Sequence, residues 1–252
     1  MDELFWLTDA QMDRLRPFFP KSRARPRVDD RRVLSGIIFI QRNGLMWKHT
    51  PAAYGPAKTL YNRWKRWSRM GVFATIMTEL AGQAQETDTM MIDATHLKTH
   101  RTASSLGAPK GGRGRLIGRT KGGLNSKQHV LADAKGRPIR MFLSAGQASD
   151  YIGAGALLSS IPPAGALLAD RGYDADWFRN ALIDLGISPC IPSRKARKMP
   201  IPHDADLYRQ RHRIENTFAR LKDWRRIATR YDRCPILFLS ACALAATVIY
   251  WL

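Results

Sequence analysis

The sequence predicts a mixed α/β protein whose first third is all helical, and three observations lead there. Up to about residue 84 the apolar residues recur at helical spacing, and capping or stopping residues bound each run. From Thr87 the period changes. Short apolar runs then alternate with helical ones in the order strand, two hairpin strands, helix, strand, helix, strand, helix. At 252 residues and 44% hydrophobic content, the chain can also bury a medium domain and a smaller one. The expected division is 1–84, all helical, and 85–252, a mixed five-stranded sheet flanked by helices.

In the helical part, Thr8 with Gln11 three residues on is a capping signal for a first helix over 8–18. Lys21, Arg23, Arg25 and Arg27 follow without an apolar period and read as a basic loop or arm. Asp29 or Asp30 caps a second helix over 31–42, with Val33, Leu34, Ile37, Ile38 and Ile40 apolar, and Asn43-Gly44 stops it. A loop bounded by Pro51 and Pro56 leads to a third helix over 57–70 and a fourth over 73–83. The third interleaves Lys58, Arg63, Lys65, Arg66 and Arg69 with Tyr61, Trp64 and Trp67. Trp64 and Trp67, at i,i+3, are core candidates. Arg63, Lys65 and Arg66 are candidate contacts to a phosphate backbone. A basic, aromatic third helix fits a helix-turn-helix-like reader of DNA.

The run 89–98 reads as a buried strand carrying one acid, Asp93, which is costly there unless it has work or a partner. His96 and His100, in the same extended stretch, do not share a ligand geometry. Over 101–127, Gly alternates with Lys and Arg and no acid appears, a texture suited to close approach to a phosphate backbone. Arg119 and Lys121 stand in its second half. Strands at 127–132 and 138–144 flank a turn in which Asp133 does turn chemistry. Ser149 or Asp150 caps a helix over 151–160, and Pro162-Pro163 stops it. A short strand over 166–170 ends on Asp170. Asp174 or Asp176 caps a helix over 177–185, and a last strand covers 188–191. A basic, Pro-broken loop at 193–203 precedes a helix running from Tyr208 to about Arg226. The apolar run 236–252 is shorter than the ~20 residues of a membrane span and reads as a buried closing helix.

The net charge is +20, with 41 Lys and Arg against 21 Asp and Glu, which implies a polyanionic partner, nucleic acid before membrane. Three Cys form no C-x-x-C and no even framework, as expected in a reducing compartment. The acidic start MDELFWLTDAQ lacks the pattern of a signal peptide.

On the late helix, Tyr208, Arg211 and Lys222 fall within about 40° of Glu215 on a regular wheel. This stripe flanks the core-facing residues Leu207, Ile214, Phe218 and Leu221 instead of opposing them, as a cleft would require. The plain structural reading is an exposed helix with an Arg211–Glu215 ion pair. The spacing Tyr208-x2-Arg211-x3-Glu215-x6-Lys222, however, resembles the signature around the catalytic Glu of DDE transposases from bacterial insertion sequences, the insertion-sequence-five family above all. Ile92-Asp93-Ala94-Thr95 resembles the stretch around the first Asp of that family, and Leu168-Ala169-Asp170-Arg171-Gly172-Tyr173-Asp174 the second. Looser resemblances are Trp47-x3-Pro51-x2-Tyr54-Gly55, the run from Leu60 to Trp67, and Ile117 to Gly123.

The resemblance implies a ribonuclease-H-like catalytic domain in which the first and fourth strands lie side by side. Asp93, Asp170 and Glu215 would be the catalytic and metal-holding acids. Tyr208, Arg211 and Lys222 would contact DNA, joined by Arg63, Lys65, Arg66, Arg119 and Lys121. Mg²⁺, or Mn²⁺ in its place, is the implied cofactor, two ions per site, because hard cations relieve carboxylate repulsion and serve phosphoryl transfer. The implied partners are the double-stranded DNA of element ends and target, and further copies of the chain, in the bacterial cytoplasm and with no membrane. The implied activity is cleavage that frees 3′-OH ends, then strand transfer. A nuclease of the same fold without strand transfer, and a catalytically inactive DNA-binding protein, are the alternatives.

Overall fold

The computed structural model describes residues 3–21, 29–83, 88–104 and 114–252. The basic run at 22–28 and the first half of the Gly-rich stretch, 105–113, lie outside the described residues.

The helical part begins with α1 (Asp9–Leu15), held by the expected capping box: the Thr8 side chain accepts from the Gln11 N–H, and the Gln11 side chain from that of Thr8. Pro17 lies in a 3-10 turn (Arg16–Phe18) that follows. In α2 (Asp30–Asn43) the Asp29 side chain caps the start, and Gly44 ends it at φ 72°. This helix crosses α3 (Ala57–Arg69) at Gly36, where a Cβ would stand 2.6 Å from Leu60 and 2.7 Å from Tyr54. Only Gly leaves room for the Leu60 and Tyr54 side chains against α2. Next comes α4 (Val72–Gly82).

The second part starts with β1 (Thr89–Thr99) and a single turn, α5 (Arg101–Ser104). A hairpin of β2 (Gly118–Thr120) and β3 (Gly123–Ala132) leads to β4 (Pro138–Ala145). Then follow α6 (Asp150–Leu158), β5 (Ala166–Ala169), α7 (Asp176–Asp184) and β6 (Ser188–Cys190). The chain closes with α8 (Ala205–Arg209), α9 (His212–Lys222), α10 (Arg225–Ala228), β7 (Thr229–Arg230) and α11 (Pro235–Ala246).

The sheet has seven strands among the described residues, not the five expected. The two additions, β2 and β7, are three and two residues long, too short to show a period of two in sequence. Both extend neighbours already present: β2 pairs with the start of β3, and β7 with Lys98 and Thr99 at the end of β1. The path β4–β3–β1–β5–β6 is antiparallel on the β4–β3–β1 side and parallel on the β1–β5–β6 side.

The expected continuous helix from Tyr208 to Arg226 is broken twice. Over Gln210 to Ile214 the N–H groups of Gln210, Arg211, Arg213 and Ile214 donate to carbonyls three residues back, a tightened turn between α8 and α9. Trp224 then separates α9 from α10. The 100° wheel therefore does not hold across Gln210.

The apolar run after Cys234 is the closing element. In α11, Phe238, Ala241, Cys242 and Ala245 are all fully buried, and the helix packs against α2, α3, α4 and β4. A helix apolar on every side needs such surroundings. Among the described residues no helix is long and apolar enough to cross a membrane. One apolar core joins the helical part to one face of the sheet, where Met90, Ile92, Leu167 and Ala169 point. A smaller cluster on the opposite face joins Met91, Val130 and Leu168 to Ile214 and Phe218 of α9. Side chains alternate along a strand, so Asp93 shares the face of Met91, and Asp170 that of Leu168. Both acids thus face α9.

Candidate active site

Ile92 pairs with Ala169 in the parallel β1–β5 register. Asp93 and Asp170, one residue further on each chain segment, stand at neighbouring positions where the strands part. Asp170 also caps a 3-10 turn (Arg171–Tyr173), its Oδ1 accepting from the Gly172 N–H at 2.8 Å.

Three sets of contacts fix α9 over this point. Ile214 and Phe218 enter the smaller core cluster. Arg213 donates to the Ala134 carbonyl and the Thr217 hydroxyl to the Gly136 carbonyl, each at 2.6 Å, clamping the β3–β4 turn. That turn is built as expected: Asp133 accepts from the N–H groups of Lys135 and Arg137 and from the Arg137 side chain. Lys222 Nζ donates to Thr95 Oγ1 at 2.7 Å, which ties the far end of α9 to β1.

Arg211, in the turn before α9, reaches both acids. Its guanidinium donates to Asp93 Oδ2 at 2.6 Å and also pairs with Glu215. It lies 5.7 Å from the Tyr208 ring centroid. Asp170, Tyr208 and Arg211 line one cavity of about 410 Å³, with Ser193 and His203. The six residues Asp93, Asp170, Tyr208, Arg211, Glu215 and Lys222 thus come from three separate segments of sequence.

Burial pushes the Asp93 carboxyl up to about 6; Arg211 and the Ala94 N–H pull it down, and the neighbouring Asp170 raises it further. Burial likewise lowers the Lys222 ammonium. The site holds a fourth carboxylate that the sequence marked only as a cap. A Cβ on Gly172 would stand 2.8 Å from Asp170 Oδ1 and 3.2 Å from Asp150 Oδ2, so Asp150 is close to Asp170. Lys127, nearly buried in β3, pairs with Asp150 at 3.1 Å. Beneath these acids lies Tyr173, fully buried, its hydroxyl without a hydrogen-bond partner among the described residues. Burial, then Asp150, Asp93 and Asp170, hold its ionisation well above the usual range.

The donor set suits a hard divalent cation: carboxylate oxygens on adjacent strand ends, one of them buried and reluctant to ionise alone, beside an unpartnered hydroxyl. Among the described residues no three such side chains converge on one point. The Arg211 guanidinium bridges Asp93 and Glu215.

His96 and His100 turn to separate partners, Gly146 and Thr102, and share no site. Asp174 and Asp176 do not cap α7 through their side chains; Ala175 is its N-cap. Asp174 is instead fully buried, accepting from Arg179, Arg197 and the Arg194 N–H, each at 2.8 Å. Of the basic residues singled out on α3, Arg63 is committed to Asp30 at 2.7 Å and to the Trp67 ring, with its side chain mostly covered. Lys65 is half-buried and Arg66 exposed; Arg119 and Lys121 are exposed on the β2–β3 hairpin.

Residues 7–77 match the family model described as "Putative transposase of IS4/5 family", and residues 84–247 the model described as "Transposase DDE domain". The chain belongs to the DDE transposases of bacterial insertion sequences. Among relatives of this transposase-family chain is the "Putative transposase for insertion sequence element IS6501" of Brucella ovis, 35% identical over 128 residues, 50% of this chain and 98% of that protein. The "Putative transposase for insertion sequence element IS402" of Burkholderia cepacia is 31% identical over 137 residues, 50% of this chain and 63% of that one. The fold is similar to that of the piggyBac transposase in its synaptic complex with hairpin DNA, with a TM-score of 0.54 at 9% identity, covering 97% of this chain and 72% of that one.

Proposed function

We propose that this family member cleaves phosphodiester bonds at the ends of an insertion sequence, frees 3′-OH ends and joins them to target DNA. The observation that carries the reading is the Ile92–Ala169 pairing, which sets Asp93 and Asp170 side by side under the helix that bears Glu215. The strand path β4–β3–β1–β5–β6 is consistent with a ribonuclease-H-like catalytic domain over 85–252.

Asp93, Asp170 and Glu215 are the residues that would hold the metal. Bound Mg²⁺, or Mn²⁺ in its place, two ions per site, would activate the attacking oxygen and stabilise the leaving one at phosphorus. Arg211 would let go of the acids and take a phosphate oxygen, a task its planar fork suits. Lys222, held at Thr95, would hold a phosphate beside the scissile one, and Tyr208 would orient Arg211 through its ring face. Residues 1–84 would be the helix-turn-helix-like DNA reader. Arg63 being engaged by Asp30, Lys65 and Arg66 would make its backbone contacts, with Arg119 and Lys121 adding a second basic surface. Two element ends must meet, so a dimer or larger assembly would act.

A strand-transfer assay with pre-cut ends tests the reading. Joined products that depend on Mg²⁺ and on Asp93 are expected. Nicking without joining would reduce the activity to that of a nuclease.

A further inference from the structure

A second cavity, of about 650 Å³, whose lining includes none of Asp93, Asp170 and Glu215, lies between the segment joining α2 to α3 and the stretch after β7. Trp47, Tyr61 and Tyr231 line it, with Lys48, Lys58 and Arg226. Tyr231 is 39% exposed, and Trp47 and Tyr61 are half-buried. The Arg226 guanidinium lies 5.7 Å from the Trp47 ring centroid and 5.8 Å from that of Tyr231, so a planar cation links the two rings. Arg226 is fixed by the Leu45 carbonyl at 2.7 Å and partly neutralised by Asp232 at 3.8 Å. Lys48 and Lys58 are exposed, and neither pairs with an acid among the described residues.

We propose that this cavity binds an unpaired nucleotide of a DNA strand, its base stacked against the aromatic wall and its phosphate held by Lys48 and Lys58. Aromatic faces interleaved with cations are the composition of single-strand sites, because every base has a π-face and every link a charge. A duplex keeps its base faces stacked internally and offers this wall nothing, so an extruded or frayed base is the fitting ligand. The volume falls within the ~300–1,000 Å³ of sites that enclose one small molecule. Position supports the choice. Arg230, beside Tyr231, pairs with Thr99, six residues along β1 from Asp93. At ~3.3 Å per residue this is roughly 20 Å from the acids, or about six base steps of DNA. The preference for DNA over other nucleotides rests on the function proposed above; the cavity's chemistry does not.

The test uses the full chain in metal-free buffer, with fluorescence anisotropy on a labelled thymidine 12-mer and on a labelled duplex of equal length. Tyr231→Ala should weaken single-strand binding roughly tenfold while duplex affinity stays within about twofold, and Lys58→Ala should weaken single-strand binding by a smaller factor. Tyr231→Phe should restore most of the loss, which separates stacking from damage to the fold. Equal single-strand affinity for wild type and Tyr231→Ala would overturn the proposal. So would full competition by thymidine monophosphate at oligonucleotide concentrations, which would mark a free-nucleotide site. No step of this assay needs cleavage or joining, so failure of the proposed activity would leave its outcome unchanged.

Discussion

Arg211 reaches across 118 residues of sequence to donate to Asp93 Oδ2 at 2.6 Å. It offsets, in part, the burial that pushes the Asp93 carboxyl up to about 6. Without Arg211 that carboxyl would titrate higher still. Below its folded-state pKa the protonated acid needs no partner. Above it, the ionised acid is buried and alone. Arg211→Ala should therefore be destabilised by about 2–3 kcal/mol at pH 8, below the range for fully buried pairs because both side chains keep some solvent. At pH 5 the loss should be smaller. Thermal unfolding at the two pH values measures it, and an equal loss at both would contradict the pairing.

Asp174 gives the opposite sign. Burial opposes its ionisation, but Arg197, the Arg194 N–H and Arg179 outweigh burial and hold the carboxyl below its ordinary value of 3.8. Its contribution is complete above that value and is lost as pH falls below it. Asp174→Asn should cost about 3–5 kcal/mol at pH 7, since Arg179 would be left buried with its charge uncompensated. The gap to wild type should narrow as pH falls below 3.8. Urea unfolding across this range reads both.

Glu215 and Lys222 sit on one helix, and the proposed function gives them opposite tasks. Glu215 is exposed and negative, so in metal-free buffer it repels a phosphate backbone. Glu215→Gln should bind end DNA as well as wild type or better, and lose cleavage. Lys222→Ala should bind more weakly, with the salt slope reduced by about one, while whatever cleavage remains still requires metal. Two silent variants would mean that Arg211 and Glu215 form only a surface ion pair.

Much of this arrangement was legible in the sequence, for physical reasons that differ by element. The Thr8–Gln11 box and the Gly44 stop are local chemistry and stand where sequence puts them. The neighbouring placement of Asp93 and Asp170 was implied by the resemblance to a ribonuclease-H-like fold, in which the first and fourth strands lie side by side. What escaped needed three dimensions. The two short strands β2 and β7 are recruited by partners distant in sequence. The tightened turn at Gln210 to Ile214 leaves no mark in composition, yet it sets where Arg211 points. Asp174 looked like a cap because its partners Arg194 and Arg197 lie 20 and 23 residues away. Arg63 looked free because Asp30 is 33 residues upstream. Asp150 does head its helix, but its closeness to Asp170 depends on the β3–β4 hairpin and α6 folding back over the strand ends.

Asp93 and Asp170 together are proposed to support metal-dependent cleavage of DNA. The most direct measurement is nicking of a labelled element end by Asp93→Asn and Asp170→Asn, with Mg²⁺ or with chelator, alongside binding of the same DNA. Both variants should bind the end with affinity near that of wild type and nick it at least a thousandfold more slowly, roughly 4 kcal/mol in barrier. Nicking by either variant at near the wild-type rate would contradict the account.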